Sequence, residues 1–328
     1  MKKRDVINII ILLIIISFAA YRFYNRKITF SQSKFALDTI VEITVTSQKR
    51  NIKSVIDEAF EMIADYDRKF NFYDPEGELG KINSSEQVSL DKDFYQLLKI
   101  SFELYEKSDS LYDTTIGRLT ELWDFSTEHT PNIDSIRTAQ ENSGFEKIKF
   151  SEDQLIKPKN LKLNFGSLAK GYIIDRVVDF LEDNPVESGI VNAGGDIRIF
   201  GYNKKKEIGI QHPRSDRNEI IATLQVGNKA IVTSGDYERF FIKDNKRYHH
   251  IIDPKTGFPT ENAISVTVVA SQAVTADAYS TALFLLKPEA AIELVNQIEN
   301  LQAIIYFETR GKIESIMSER FEEYLVDE

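Results

Sequence analysis

A dense succession of short strand patterns in the second half of the chain limits its fold more than any other feature. Eight segments rich in β-branched and aromatic residues follow one another, mostly across short connections, at 190–193, 197–200, 207–211, 219–226, 230–233, 237–242, 247–252 and 264–270. Short connections suit antiparallel neighbours, because parallel strands need a long crossover. We therefore expect mixed, largely antiparallel sheets.

Helical periodicity flanks these strands on both sides. Apolar residues recur at three- and four-residue spacing at 52–70, 94–105, 168–181, 274–286 and 289–297. Further strands are expected at 35–46 and 301–307. Because helices and strands are partly segregated, the pattern predicts an α+β fold with flanking helices rather than a regular βαβ winding. No GxGxxG motif follows an early strand, so a Rossmann dinucleotide site is not indicated.

The first 24 residues have the composition of a membrane or export segment. An apolar run, broken only by Asn8 and Ser17, follows a basic head, and its length is close to the roughly 20 residues that span a bilayer. We expect residues 1–24 to form an uncleaved transmembrane anchor, with a cleaved signal peptide and a buried core helix as alternatives. Residues 25–33 are interpreted as a linker, and residues 34–328 as one catalytic domain. The basic head favours a single-pass protein of the cytoplasmic (inner) membrane whose catalytic domain lies on the exported, periplasmic side.

Charge and residue usage exclude several classes of function. The net charge is −10, and the first 30 residues carry six basic side chains and one acid, so the rest of the chain carries −15. Such an acidic body is a poor binder of polyanions, so nucleic acid is not an expected partner. The chain has no cysteine and four histidines without an HExxH pair, so thiolate metal sites and zinc-protease chemistry are excluded. A metal here would be a hard cation held by oxygen.

Two glycine-containing segments are candidates for ligand contact. In 163–175, a glycine turn leads into a helix that carries Lys170 near its start, an arrangement that can bind an anion but equally can be a plain capped helix. Residues 192–198 contain Gly194 and Gly195 between two strands. That pattern favours a hairpin turn, and approach of the backbone to a ligand is the alternative.

Two later segments carry candidate catalytic and metal-binding groups. Strand alternation places His250 on one face and His249 on the other, just before the turn at 253–257. Asp277 and Thr281 are four residues apart on a helix, so their oxygens share a face and would suit Mg²⁺. The alternative is an acid favoured by the helix dipole near the N-terminus.

Taken together and in this order, the motifs resemble the ApbE family of FAD:protein FMN transferases. The matching segments are 78–83, 112–123, 166–175, 192–198, 234–237, 250–257 and 276–282, and the resemblance covers about residues 35–310. Each motif is weak alone, but seven in order are highly specific. The chain departs from the family pattern at Leu37, where the family has methionine, at Asn164, where it has aspartate, and at Arg118, where it has proline.

The resemblance implies a fold, a reaction and a set of residues. It implies Mg²⁺ as cofactor and FAD as substrate, with FMN passing to a threonine hydroxyl of an acceptor protein and AMP leaving. The implied metal ligands are Asp277, Thr281 and the backbone carbonyl of Ser167. Proton transfer falls to His250 or Asp277, of which we favour His250 because the metal occupies Asp277. The implied flavin-nucleotide contacts are Leu37, Tyr73, Leu111, Tyr112, Asp113, Asn164, Lys170 and Ile251, with the rings of Tyr73 and Tyr112 placed against isoalloxazine or adenine.

The acceptor and two alternative functions stay open at this point. Membrane redox complexes are the family's usual targets, and the chain itself contains no Asp-x-x-[Ser/Thr]-Gly-Ala-[Ser/Thr] acceptor motif. One alternative is a Mg²⁺-dependent FAD pyrophosphatase, in which water replaces threonine and the products are FMN and AMP. The other is an exported, non-catalytic flavin-binding protein.

Overall fold

The computed structural model describes residues 3–24, 26–49, 51–215 and 219–326, and these form an α+β fold. The helices are α1 (Lys3–Tyr24), α2 (Ile52–Phe70), α3 (Glu78–Ser84), α4 (Lys92–Lys107), α5 (Gly117–Leu122), α6 (Ile133–Glu141), α7 (Ala169–Asp183), α8 (Ala273–Leu285) and α9 (Pro288–Asn296). The strands are β1 (Ile28–Ala36), β2 (Thr39–Ser47), β3 (Gln87–Ser89), β4 (Lys149–Phe150), β5 (Gln154–Ile156), β6 (Ser188–Ala193), β7 (Asp196–Phe200), β8 (Lys206–Gln211), β9 (Ile220–Val226), β10 (Ala230–Gly235), β11 (Phe240–Lys243), β12 (Lys246–His249), β13 (Ser265–Ala270), β14 (Gln302–Thr309) and β15 (Lys312–Met317).

An eight-stranded sheet lies at the centre of the fold. Its strand order is β1-β2-β6-β7-β10-β13-β14-β15, and all of its neighbours pair antiparallel. Helices α2, α4, α7, α8 and α9 contribute to the large hydrophobic core on one face of this sheet. A second apolar cluster includes residues of the β8–β9 hairpin together with the other face of the sheet. The prediction of largely antiparallel sheets with flanking helices is confirmed.

The N-terminal part of the sheet differs from the prediction. The single strand expected at 35–46 is wrong, because Leu37 and Asp38 adopt positive φ angles of 54° and 58° and turn the chain between β1 and β2. Two consecutive positive φ angles match the right-handed twist of a tight antiparallel hairpin. Strand β1 begins at Ile28, inside the segment 25–33 that we interpreted as a linker.

Helix α1 covers most of the N-terminal apolar segment. Among the described residues, no helix combines the length and the apolar character needed to cross a bilayer. The predicted membrane helix over residues 1–24 is therefore not confirmed. The buried-core alternative is wrong for the described residues, because the large apolar side chains from Ile7 to Phe18 are exposed. The side chains of Phe23 and Tyr24 lie outside the described residues.

The contact between α7 and α8 positions the site described below. An added Cβ at Gly171 would lie 2.4 Å from the carbonyl oxygen of Ala273, so only glycine allows the two helices to approach this closely. The carboxylate of Asp175 in α7 accepts hydrogen bonds from the N–H groups of Ala273 and Val274, both at 2.9 Å. These bonds satisfy two of the free donors at the N-terminus of α8. The start of α7 and the first turns of α8 are thereby held together.

Candidate active site

Three elements bring charged side chains together at the start of α7. Lys170 lies in the first turn of α7, and its Nζ is 2.8 Å from Oδ2 of Asp196, the first residue of β7. Asp277 lies on α8, and its Oδ2 accepts a hydrogen bond of 2.8 Å from the backbone N–H of Gly171. Lys170, Asp196 and Asp277 come from distant parts of the sequence, and the α7–α8 contact makes them neighbours.

Asp277 is a buried carboxyl group in an unfavourable electrostatic position. Desolvation, followed by the negative charges of Asp196 and Asp175, raises its pKa to about 7, although Lys170 and the N–H of Gly171 act in the opposite direction. A buried carboxylate next to a second carboxylate is costly unless a cation compensates it. The site therefore contains more negative charge than Lys170 alone balances.

Lys170 is held as a cation. Burial is the largest single influence and disfavours its charge, but Asp196 and Asp277 together outweigh that effect and raise the pKa of Lys170. Asp196 was not among the predicted site residues. The signal that could have found it is the Asn192–Arg198 motif, in which we favoured a hairpin turn. That turn exists, since Gly194 and Gly195 have φ angles of 64° and 102°, but Asp196 also anchors the lysine.

Hydroxyl groups of α8 and β10 form a hydrogen-bonded cluster one turn after Asp277. Oγ1 of Thr281, one turn after Asp277, lies 3.4 Å from the hydroxyl of Ser234 on β10, and that hydroxyl is 2.7 Å from the hydroxyl of Ser280. The N–H of Gly171, four residues after Ser167, donates to the Asp277 carboxylate. The predicted metal ligands Ser167, Asp277 and Thr281 thus lie at the meeting point of α7 and α8.

The donor set suits one kind of cation. The described residues contain no group of three or more histidine, cysteine, aspartate or glutamate side chains that could hold a metal ion. One carboxylate with a hydroxyl and a carbonyl is an all-oxygen set with few protein ligands, which is how Mg²⁺ is commonly held beside phosphate groups. The uncompensated charge around Asp277 is a second observation that fits a divalent cation.

The two neighbouring histidines have different surroundings. His249 is buried, with Nε2 2.8 Å from the carbonyl oxygen of Thr260 and its ring edge-on to Phe284. His250 is exposed, and its backbone N–H donates to the carbonyl oxygen of Arg239. Desolvation, followed by the positive charges of His249, Arg239 and Lys170, lowers the pKa of His250, so its ring is neutral at pH 7. His249 is a packing residue, and His250 is open to a substrate.

Four of the predicted flavin contacts differ in position and burial. They are Leu37, Leu111, Asn164 and Ile251. Leu37 is half-buried in the β1–β2 turn, and the side chain of its neighbour Asp38 forms an ion pair of 2.9 Å with Arg239, beside His250. Asn164 accepts a hydrogen bond of 2.9 Å from the N–H of Gly166 and shapes the turn before α7. These residues border the cluster around Lys170. Leu111 is half-buried and Ile251 is buried.

Tyr112 and Tyr73, the two rings expected to lie against isoalloxazine or adenine, differ in burial. Tyr112 is only 1% exposed, so its ring is part of the core and has no open face for a flavin or an adenine. Its hydroxyl accepts a hydrogen bond of 2.9 Å from Oγ of Ser167 and so supports the turn before α7. Tyr73 is 72% exposed and lines a separate cleft next to Phe72.

Asp113 is expected to lower the stability of the protein at neutral pH. It is buried, and desolvation raises its pKa to about 6 even though it accepts a 2.7 Å hydrogen bond from the N–H of Thr115. A raised carboxyl pKa means that stability is fully present below the unfolded value near 3.8 and is lost as pH rises through about 6. Asp113→Asn, which keeps the acceptor, should raise the free energy of unfolding at pH 7 by up to about 3 kcal/mol.

Thermal unfolding between pH 4 and pH 8 measures this effect. Between pH 4 and pH 6, the unfolding temperature of Asp113→Asn should fall less than that of the wild type. Asp134→Asn, a change of the same type at the start of α6, serves as the control. An unchanged pH profile in Asp113→Asn would contradict the assignment.

Comparisons with known proteins show which family the chain resembles. The family model described as the ApbE family matches residues 37–305. A curated relative named FAD:protein FMN transferase, from Klebsiella pneumoniae, is 30% identical and aligns with 77% of this chain and 82% of its own length. A protein of the same name from Treponema pallidum is 26% identical over 85% of this chain and 84% of its own.

Solved structures give the same result. The ApbE protein of Thermotoga maritima matches with a TM-score of 0.81 and 34% identity, covering 92% of this chain and all of that one. The flavin transferase ApbE of Vibrio cholerae matches with a TM-score of 0.82 and 25% identity, covering 92% and 99%. The family match also agrees with the extent expected from the motifs, about residues 35–310. The chain belongs to the ApbE family.

Proposed function

We propose that this protein is an FAD:protein FMN transferase that moves FMN from FAD to a threonine hydroxyl of an acceptor protein and releases AMP. The observation that carries the proposal is the buried carboxylate of Asp277, which accepts a hydrogen bond from the backbone N–H of Gly171 at the start of α7 and interacts electrostatically with Lys170 and Asp196. The relatives named above carry this activity in their names. A site with a fixed lysine cation and a place for a hard metal ion can neutralise the negative charge of a bound pyrophosphate.

The residues around Asp277 have separate tasks in this proposal. Lys170, kept charged by Asp196, binds a phosphate oxygen of FAD. Asp277, Thr281 and the Ser167 carbonyl would hold Mg²⁺, which when bound supplies positive charge to neutralise the pyrophosphate during transfer. The fixed positions of α7 and α8 orient these groups before the substrate arrives, so little reorganisation is needed.

The transfer step itself exchanges one phosphorus–oxygen bond for another. The threonine oxygen bonds to the phosphorus on the riboflavin side, and the bond from that phosphorus to the bridging oxygen breaks. The bridging oxygen leaves with AMP and keeps the electron pair. His250, which is exposed and neutral at pH 7, accepts the hydroxyl proton.

The direct test is the appearance of covalent flavin on an acceptor. We expect that purified protein with FAD, Mg²⁺ and a threonine-containing acceptor adds the mass of an FMN group, detected by mass spectrometry. FMN and AMP formed without an acceptor would instead support a pyrophosphatase. Flavin that co-purifies but neither turns over nor needs Mg²⁺ would support a binding protein. A verified acceptor that stays unlabelled would overturn the proposal.

Replacing His250 tests the proton transfer. His250→Ala is expected to lower kcat for flavin transfer by about 10²–10⁴-fold, the usual contribution of a general base. Because the side chain is exposed, the thermal stability should change little. His129→Ala, at another exposed histidine, serves as the control. Added imidazole should restore part of the lost rate, and an unchanged kcat in His250→Ala would exclude this role.

The biological setting is a separate part of the proposal. We propose that the acceptor belongs to a membrane redox complex and that the catalytic domain acts on the exported side of the cytoplasmic membrane. Both statements rest on the N-terminal sequence and on the family resemblance. Labelling of whole cells with a membrane-impermeant reagent, followed by mass spectrometry of this protein, would test the location.

A further inference from the structure

A cleft of about 470 Å³ lies on the α3–α5 side of the domain, outside the cluster around Asp277. Its lining includes Phe72, Tyr73, Arg118, Glu121, Lys159 and Lys162. The extended segment that contributes Lys162 continues through Asn164 to Ser167, at the start of the candidate active site. The cleft is therefore connected by a short length of chain to the site where FMN would be transferred.

The cleft is positively charged in an otherwise acidic protein. Arg118, Lys159 and Lys162 line it, and Glu121 is the one acid among the lining residues. Glu121 pairs with both Arg118 and Lys162, so a single carboxylate is shared between two cations. The side chain of Lys159 is exposed and pairs with no carboxylate among the described residues. Residues 31–328 carry a net charge of −15, so this concentration of positive charge is a local exception.

A buried lysine, Lys157, lies close enough to the cleft for its pKa to respond to the cations that line it. Lys157 is 3% exposed, and its Nζ donates to the carbonyl oxygens of Leu161 at 2.8 Å and Asn83 at 3.0 Å rather than to a carboxylate. Desolvation and then the positive charges of Arg118 and Lys162 lower its pKa to about 8. An anion in the cleft would relieve this repulsion.

The lining of the cleft also contains two aromatic rings. Phe72 and Tyr73 lie edge to face with ring centroids 5.2 Å apart, and Tyr73 is 72% exposed. An exposed ring beside several cations can contact apolar atoms while the cations bind carboxylates, which is the pattern of a protein-recognition surface. A free phosphate would not use the ring.

We propose that this cationic cleft binds an acidic segment of the acceptor protein and so places its threonine at the active site. The inference rests on the proposed transferase function. An acidic segment is repelled by most of the protein surface and attracted to this cleft, so the charge distribution favours one orientation of the acceptor. The volume of the cleft accommodates a few residues, which suits a short segment rather than a folded face.

Peptide binding tests the cleft without requiring transfer. We would measure by fluorescence anisotropy the binding of two labelled peptides of equal length with a central threonine, one rich in Asp and Glu and the other with Asn and Gln in their place. The acidic peptide should bind at least about tenfold more tightly at low salt and lose this advantage in 0.5 M NaCl. Lys159→Glu should weaken its binding about tenfold, whereas Lys312→Glu on strand β15 should not.

Kinetics then separates this inference from the proposed function. With a verified acceptor, Lys159→Glu should raise the acceptor KM and leave kcat and the FAD KM unchanged. A wild-type protein without transferase activity would overturn the proposed function, and the peptide experiment would still decide the role of the cleft. Equal binding of both peptides would overturn the cleft assignment. An increase in the FAD KM in Lys159→Glu would also overturn it, because it would place a part of FAD in the cleft.

Discussion

Replacing Asp277 by asparagine is expected to lower the rate of flavin transfer by about 10²–10³-fold, the effect of removing one charge-stabilising group from a preorganised site. The substitution keeps the size of the side chain and an oxygen that can accept the hydrogen bond from Gly171. It removes the one carboxylate among the three proposed Mg²⁺ ligands. The measurement is the initial rate of flavin attachment at several Mg²⁺ concentrations, and the variant should need more Mg²⁺ for its residual activity.

Stability measurements distinguish this loss of activity from misfolding. The pKa of Asp277 is raised to about 7, so its ionised form opposes folding, and the associated stability is lost as pH rises through that value. Without Mg²⁺ at pH 8, the variant should therefore unfold at the same temperature as the wild type or at a higher one. Added Mg²⁺ should raise the unfolding temperature of the wild type only.

A matched control is available on α7. Asp179 is exposed and pairs with Arg176 one turn earlier, so Asp179→Asn removes a carboxylate with little effect on the site. This variant should keep the wild-type rate and the wild-type Mg²⁺ dependence. Near-normal transfer by Asp277→Asn would show that the carboxylate is not needed and would contradict the proposed site.

Replacing Gly171 by alanine is expected to damage both stability and activity. The added Cβ would lie 2.4 Å from the carbonyl oxygen of Ala273 and 2.7 Å from Cβ of Asp277, distances that force α7 and α8 apart. Overpacking of this kind costs about 1–3 kcal/mol of unfolding free energy. A displacement of Asp277 by about 1 Å would lower the transfer rate on the order of 10²-fold.

Thermal unfolding and transfer rates together measure this effect. Gly227→Ala is the control, since an added Cβ at Gly227 has no atom within 4 Å. That variant should match the wild type in both measurements. If Gly171→Ala keeps its activity and its unfolding temperature, the close approach of the two helices is not what positions Asp277.

Local patterns in the sequence predicted the regular elements well where the signal was strong. The expected helix at 52–70 coincides with α2, because its apolar residues repeat at the helical period and the same residues are buried. The turn at Leu37 and Asp38 was missed, since neither residue is the glycine or asparagine that usually marks positive φ angles in a hairpin. The short helices α3, α5 and α6 were not predicted either, because six to nine residues contain too little periodicity.

The sequence predicted several residues that the structure places together in the candidate site, but it did not predict all of them. The motifs placed Lys170, Asp277 and Thr281 as pyrophosphate and metal residues, and the structure brings them together. Asp196 was missed because its contact with Lys170 depends on how β7 lies against α7. Tyr112 was expected at a ligand ring, yet it is buried, because the burial of a side chain depends on residues far away in the sequence.

The sequence by itself determined the α+β class, and it predicted an oxygen-based chemistry and a set of site residues, because residue type and periodicity are local properties. Only the tertiary structure decided which histidine is open and which is packed, which carboxylate holds Lys170, and where positive charge gathers in an acidic protein. Each of these depends on burial and on distances between residues far apart in the chain. Desolvation and charge–charge interactions act over those distances, and the order of residues alone does not specify them.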